Sequence, residues 1–85
     1  MKNLIYFVYS DGCSHCKKVK ACIYNYLERT SCVSDLIELD SESEDALDLA
    51  ISCGAEEVPF VLVNDNLLLY QDFDFNQDAI AEYLF

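Results

Sequence analysis

The sequence predicts an α/β fold in which a four-stranded mixed sheet carries helices on both faces. Two β-prone apolar segments, 4–9 and 33–39, flank a segment with helical periodicity. Two further apolar segments surround a short polar stretch at 64–66, which is typical of a hairpin. Only two glycines and one proline interrupt the 85 residues, so most of the chain is free to form helix or strand. The expected order of elements is βαβαββα.

The first strand and the first helix have the clearest patterns. Residues 4–9 are continuously apolar or aromatic, which is typical of a central strand covered on both faces. The turn-forming residues 10–12 end this strand, and a helix is expected over residues 13–29. Apolar side chains recur in the helix at the spacing of one buried face: Val19, Cys22, Ile23, Tyr26 and Leu27.

The next two elements complete a βαβ unit. Residues 33–39 predict the second strand. Residues 40–45 offer Ser and Asp as helix caps and carboxylates that suit a helix N-terminus. Gly54 is a plausible end for the second helix. The first two strands should therefore be parallel, with a right-handed crossover between them.

The last part of the chain predicts a hairpin followed by a helix. Strands are expected at 60–63 and 67–70, joined by the turn at 64–66. A short helix is expected over residues 76–85, with Asn76 as a possible cap. Four residues of this helix should face inward: Ala79, Ile80, Tyr83 and Leu84.

The composition predicts one acidic domain that spans residues 1–85. A hydrophobic content of 53% fits a compact globule. Five basic residues oppose sixteen acidic ones, for a net charge of −11. This charge disfavours binding to nucleic acid or to an anionic membrane surface, since both need basic residues. We expect a monomer.

The cysteines predict a reducing compartment. Their number is odd, five, whereas disulfide scaffolds usually have an even number. No secretory signal pattern is present, and the apolar runs are too short to span a bilayer. We therefore expect a cytoplasmic protein, in which a Cys-x-x-Cys motif is catalytic or metal-binding rather than structural.

The strongest functional signal is Cys13-Ser14-His15-Cys16, which lies where the first strand ends and the first helix begins. Unpaired N–H groups and a partial positive charge at a helix N-terminus stabilise a thiolate. Cys13 should therefore ionise more readily than a free cysteine. Cys16, one turn along the same helix face, can bond to it. This is the layout of a redox dithiol, in which Cys13 attacks a disulfide and Cys16 resolves the product.

Cationic residues surround this pair in sequence. His15, the only histidine, is expected to be exposed. As a cation near Cys13 it would stabilise the thiolate and make the disulfide more oxidising. Lys17 and Lys18 would add positive potential for substrate binding, although charged residues after such a motif are often only a solvated face.

A metal site is the rival interpretation of the motif. Tetrahedral zinc needs four nitrogen or sulfur ligands, and His15 should point away from the face that carries the two cysteines. Cys22, Cys32 and Cys53 are scattered along the chain and form no second Cys-x-x-Cys. Cys22 and Cys53 fit apolar helical stripes as core residues. We therefore expect no bound metal.

On three features the chain resembles the thioredoxin superfamily, most closely the small glutaredoxins. These features are the motif at 9–18 after the first strand, the segment at 54–59 that ends in Val58-Pro59, and the order of elements. The resemblance implies a thioredoxin fold of the minimal glutaredoxin type. It also implies that Pro59 is cis and faces the dithiol, and that the backbone of Val58 pairs with bound substrate like an added strand.

The resemblance also implies residues for glutathione. If a glutathione site is present, Asp72 or Asp74 would bind its ammonium group. The chain differs from glutaredoxins in having Ser10 in place of a lysine and Tyr70 in a stretch where the family has two glycines. A tyrosine in place of a glycine should obstruct close approach of this ligand.

The expected activity is that of a thiol–disulfide oxidoreductase acting on protein or glutathione mixed disulfides. No bound cofactor is expected, and glutathione is a possible cosubstrate. Two alternatives remain open from the sequence: a thioredoxin-like electron donor that a flavoenzyme reductase reduces, and a non-catalytic or metal-binding module of the same fold.

Overall fold

The computed structural model describes residues 3–30, 34–75 and 79–84. The strands are β1 (Asn3–Tyr9), β2 (Ser34–Asp40), β3 (Phe60–Val63) and β4 (Asn66–Leu69). The α-helices are α1 (Ser14–Arg29), α2 (Glu44–Cys53) and α3 (Tyr70–Phe75), and a 3₁₀-helix spans Ala79–Tyr83. No helix in the described part of the chain is long and apolar enough to cross a membrane.

The four strands form one mixed sheet in the order β2-β1-β3-β4. β1 pairs with β2 in parallel, as the βαβ pattern predicted, and its other edge pairs with β3 in antiparallel register. β3 and β4 form the predicted hairpin. β1 is therefore central, which explains why its sequence is apolar without interruption.

Helices cover both faces of the sheet, which confirms the predicted layers. On one face, Ile5 and Phe7 pack with α1, α3 and the 3₁₀-helix in the larger core cluster. On the other face, Val8 and Phe60 pack against Ala46 of α2 in a smaller cluster. The two faces alternate along β1 because successive strand residues point in opposite directions.

The second helix has the predicted signals at both ends. Ser43 is its N-cap, and the Ser43 hydroxyl accepts a hydrogen bond of 3.2 Å from the N–H of Ala46. Gly54 ends the helix in the left-handed conformation, with φ of 77°. Glycine adopts this conformation without a steric penalty, which explains why the helix stops there.

The predicted hairpin boundaries were wrong by one residue on each side of β4. The turn is Asn64-Asp65, two residues rather than three, and both have positive φ. Asn and Asp tolerate this conformation, which suits a tight hairpin turn. Tyr70 was predicted in the strand but begins α3. The Asp72 carboxylate accepts a hydrogen bond of 2.8 Å from the N–H of Leu69, which favours a helix start at this point.

The C-terminal helix also differs from the prediction. Its described part is a 3₁₀-helix over Ala79–Tyr83, while Asn76, the expected cap, lies outside the described residues. Ala79 and Ile80 are buried, as expected. The carbonyl of Tyr83 accepts a hydrogen bond of 2.7 Å from the Asn64 side chain. This bond joins the end of the chain to the hairpin turn.

Candidate active site

Cys13 is the N-cap of α1. Its backbone is extended, with φ of −86° and ψ of 114°, and its sulfur accepts a hydrogen bond of 3.1 Å from the N–H of Cys16. The first turn of α1 contains no acidic residue. No carboxylate of this turn offsets the positive end of the helix dipole, which can therefore stabilise negative charge on the half-buried Cys13 sulfur.

The surroundings of Cys13 favour its thiolate. Burial raises the pKa of Cys13, but hydrogen bonds outweigh this effect and hold its pKa below the ordinary value. The donors are the thiol and N–H of Cys16, the side chain of Ser10 and the N–H of His15. Each stabilises the anion because each presents a proton to it. The predicted direction of the Cys13 shift is therefore confirmed.

Cys16 has the opposite character. It is only 5% exposed, and burial together with its hydrogen bond to Cys13 raises the pKa of Cys16 to about 11. Of the two sulfurs, Cys13 thus loses its proton more readily, whereas Cys16 stays a thiol at neutral pH. The described cysteines, Cys13, Cys16, Cys22 and Cys53, form no disulfide with one another in this structure.

His15 is exposed, as expected, and its ring is directed toward α3. The imidazole stacks on the ring of Tyr70, with centroids 4.2 Å apart and an interplanar angle of 23°. The contribution of His15 to the lowered pKa of Cys13 is made by its backbone N–H. The proposed cationic role of the ring stays a prediction.

A pocket of about 220 Å³ opens beside Cys16. Six residues line it: Phe7, Tyr9, Cys16, Lys17, Lys20 and Glu38. Lys20 forms an ion pair of 3.4 Å with Glu38, which also accepts a hydrogen bond of 3.2 Å from the hydroxyl of Tyr24. Lys17, which was predicted to contribute to substrate binding, thus lines the pocket next to the buried thiol of Cys16.

The Val58–Pro59 peptide bond is cis, as the resemblance implied. The Pro59 side chain is buried, whereas Val58 is 38% exposed. Their predicted roles, in which Pro59 faces the dithiol and the backbone of Val58 pairs with a substrate, remain predictions.

Of the two acidic residues predicted to bind glutathione, Asp72 and Asp74, the structure describes the side chain of Asp72 alone. Asp72 is exposed, and its carboxylate already accepts the N–H of Leu69. The side chain of Asp74 lies outside the described residues. Asp72 thus has a structural function at the start of α3, and its predicted contact with a ligand stays a prediction.

The described residues contain no group of three or more His, Cys, Asp or Glu side chains placed to hold a metal ion. Cys22 and Cys53 are half-buried against the two core clusters, as expected of packing residues. Cys32 lies outside the described part of the chain.

Sequence reasoning missed two contributors to the site. The side chain of Ser10 donates to Cys13, and its position three residues before the motif was the only available signal. Tyr70 was predicted as a strand residue and as an obstacle to a ligand, but not as a contact of His15. Its contact with His15 joins residues far apart in the sequence, and no local pattern indicates such a pair.

The fold and the dithiol define a thioredoxin fold with a Cys-x-x-Cys pair at the start of its first helix. No family model matches the sequence, and the comparison with curated proteins finds no match. Among solved structures, the chain is similar to mitochondrial thioredoxin 3 of Saccharomyces cerevisiae, with a TM-score of 0.67 and 14% identity over 96% of this chain and 76% of that one.

Two further structures show the same fold. A mutant thioredoxin of Halobacterium salinarum has a TM-score of 0.64 and 21% identity, over 98% of this chain and 75% of that chain. A structure described as a malarial protein has a TM-score of 0.64 and 13% identity, and each chain is covered over 100% of its length. At these identities the likeness establishes the thioredoxin fold.

Proposed function

We propose that this protein is a thiol–disulfide oxidoreductase of glutaredoxin-like type that uses Cys13 as nucleophile and Cys16 as resolving thiol. The observation that carries the proposal is the placement of the two sulfurs: Cys13 caps the N-terminus of α1 and accepts the N–H of Cys16 at 3.1 Å, while Cys16 is buried one turn along the helix. The pKa shifts agree with this placement. The pKa of Cys13 is lowered, whereas that of the buried Cys16 is raised to about 11. A lowered pKa supplies the attacking thiolate, and a protonated partner does not compete with it.

The reaction proceeds in two exchanges. The Cys13 thiolate attacks one sulfur of a substrate disulfide, forms a mixed disulfide and releases the other sulfur as a thiolate. Cys16 then loses its proton to water, attacks the Cys13 sulfur and releases the second substrate thiolate. The substrate gains two electrons, and the protein is left with a Cys13–Cys16 disulfide. An external thiol reductant supplies two electrons to restore the dithiol.

Protein disulfides are the preferred substrate class in this proposal. Tyr70 stacks on His15 within the motif, in the stretch where a glycine would leave room for glutathione. Asp72 is already engaged by the N–H of Leu69. Both contacts favour a protein substrate, with glutathione in the role of external reductant. The thioredoxin-like alternative has the same chemistry with a flavoenzyme reductase as donor. The protein would act as a cytoplasmic monomer.

The direct test is reduction of insulin disulfides with dithiothreitol as the external reductant. We expect the parent protein to accelerate the reaction and Cys13→Ser to abolish the acceleration. Cys16→Ser should accumulate a mixed disulfide that mass spectrometry detects. Cys22→Ser is the matched control, since Cys22 is a half-buried core thiol, and should retain the parent rate. Equal rates for Cys13→Ser and the parent would contradict the proposal.

Further measurements distinguish the alternatives. The donor that restores the dithiol is identified by measuring how fast each of two systems reduces the Cys13–Cys16 disulfide. One system is glutathione with glutathione reductase, and the other is a thioredoxin reductase with NADPH. A zinc assay on protein purified under reducing conditions tests the metal-binding module. Stoichiometric zinc that protects Cys13 from alkylation would favour that module over an oxidoreductase.

A further inference from the structure

The face of the sheet that carries α2 has an apolar strip that none of the described helices covers. Tyr6 of β1 and Ile37 of β2 lie side by side in the parallel register. Leu4 is on the same face as Tyr6, because alternate strand residues share a face. Leu4 is 38% exposed and Ile37 is 36% exposed. We call these three residues the apolar strip.

The strip is excluded from the packed interior. None of its residues belongs to either core cluster, whereas their neighbours Ile5, Phe7 and Val8 do. Beside the strip, a groove of about 570 Å³ runs between the sheet and α2. Tyr6, Ile37 and Leu39 form one side of the groove. An open apolar groove is the kind of surface that an amphipathic helix covers.

The wall of the groove is acidic. Asp45 and Asp48 line it from α2, with Leu49 and Ser52 on the same helix face. The four basic residues that the structure describes all lie on α1, which packs on the opposite face of the sheet: Lys17, Lys18, Lys20 and Arg29. An incoming partner would therefore meet carboxylates and apolar side chains on the groove side of the described structure.

We propose that this groove binds an amphipathic helix of a partner protein, with apolar residues on one face and Lys or Arg beside them. The apolar face would cover Tyr6 and Ile37, and the cations would pair with Asp45 and Asp48. A second copy of this chain would place the same carboxylates against each other, so charge disfavours self-association through this face. Nucleic acids and anionic membranes carry the wrong charge for it as well.

The proposal goes beyond the redox chemistry. The apolar strip and Cys16 lie on opposite faces of the sheet, since Ile5 and Phe7 pack with Cys16 while Tyr6 points the other way. A bound helix would thus leave the dithiol accessible. It would hold a partner on the protein while Cys13 reacts.

The probe is a synthetic helical peptide with leucine at positions i, i+3, i+4 and i+7 and lysine elsewhere. Binding is measured by fluorescence anisotropy with the full chain and mapped by amide chemical shifts. Two comparison peptides have the same composition in scrambled order, or glutamate in place of lysine. We expect the amphipathic lysine peptide to bind at least about tenfold more tightly than either. The shifts should map to β1, β2 and α2.

Two variants of groove residues and one control variant outside the groove test which side chains bind the peptide. Ile37→Asp should weaken binding about tenfold. Ile51→Asp makes the same change on α2 outside the groove, where Ile51 is 80% exposed, and should leave binding within about twofold. The double variant Asp45→Lys and Asp48→Lys changes only exposed residues and should weaken binding by at least as much as Ile37→Asp.

These measurements decide the proposal. Insulin reduction should be unchanged in all three variants, because none alters the dithiol, and far-UV circular dichroism checks that each is folded. Equal binding of the scrambled peptide would overturn the proposal, since it would reveal general attraction of cations to an acidic protein. Absence of binding, or shifts that map to Cys13 and α1, would overturn it too. If Ile37→Asp fails to fold, the charge-reversed variant decides alone.

Discussion

The N-termini of α1 and α2 have nearly the same geometry and different chemistry. In α1 the Cys13 sulfur accepts an N–H three residues along the chain at 3.1 Å, and in α2 the Ser43 hydroxyl does so at 3.2 Å. Both cap residues have extended backbone. The first turn of α2 carries Glu44 and Asp45, whereas the first turn of α1 has no acid. One helix dipole is thus compensated by its own carboxylates, and the other is left to stabilise a thiolate.

The comparison shows how a common capping arrangement becomes a reactive site. A hydroxyl cap contributes stability alone. A thiol in the same place gains a lowered pKa, because the N–H groups that stabilise the helix end also stabilise its anion. Four substitutions test this difference between the two caps, from the largest expected effect to the smallest.

Cys13→Ser gives α1 a serine N-cap like that of α2. Disulfide exchange should fall at least about a hundredfold, because a serine hydroxyl stays protonated and cannot attack a disulfide at neutral pH. The free energy of unfolding should stay within about 0.5 kcal/mol, because serine also caps helices well. Insulin reduction and urea unfolding measure the two quantities. A large loss of stability would mean that Cys13 acts mainly as a structural residue.

Ser43→Cys gives α2 a cysteine N-cap like that of α1. The new thiol lies beside Glu44 and Asp45, whose charges disfavour a thiolate. At neutral pH it should react with iodoacetamide about tenfold more slowly than Cys13, which corresponds to about one pKa unit. Mass spectrometry of peptide fragments resolves the two sites. Equal rates would show that cap geometry alone, without the difference in charge, makes a thiol reactive.

Ser43→Ala removes the hydroxyl cap. The free energy of unfolding should fall by about 1 kcal/mol, because the N–H of Ala46 loses its acceptor. Urea unfolding measures the loss. Ser52→Ala is the control, since Ser52 is exposed at the other end of α2 and its hydroxyl bonds only a carbonyl of its own helix. A smaller loss in Ser43→Ala than in Ser52→Ala would contradict the assignment of the cap.

Ser14→Asp gives α1 the acidic first turn that α2 has. The carboxylate should raise the pKa of Cys13 and slow its alkylation near neutral pH about threefold. Ser14→Asn is the uncharged control and should change the rate much less. The pH dependence of thiolate absorbance measures the shift. A pKa of Cys13 that is the same in both variants would show that negative charge in the first turn does not affect its thiolate, and would contradict the contrast drawn between the two caps.

Much of the site could be predicted because its signals are local. The break at residues 10–12 after an apolar strand, followed by Cys13 at the start of a periodic helix, was enough to place the dithiol. The parallel pairing of β1 and β2 followed from the strand–helix–strand order. Each of these inferences depends on residues close together in the chain.

The features that could not be predicted depend on contacts between distant residues. Tyr70 follows three leucines, so the pattern favoured a strand, and only the contact with His15 and the cap from Asp72 show where α3 begins. The exposure of Ile37 likewise depends on where α2 lies over the sheet. Hydrophobic periodicity indicates which faces can be buried, but it does not indicate how far a ten-residue helix reaches across them.

The most direct test of the central claim is the site-resolved pH profile of alkylation for Cys13 and Cys16 in the reduced protein. Because the pKa of Cys13 is lowered, its rate should rise at a pH below that of a free cysteine, about 8.5. Because burial raises the pKa of Cys16 to about 11, its rate should stay low until strongly alkaline pH. Coincident profiles, or a Cys16 that reacts first, would contradict the account.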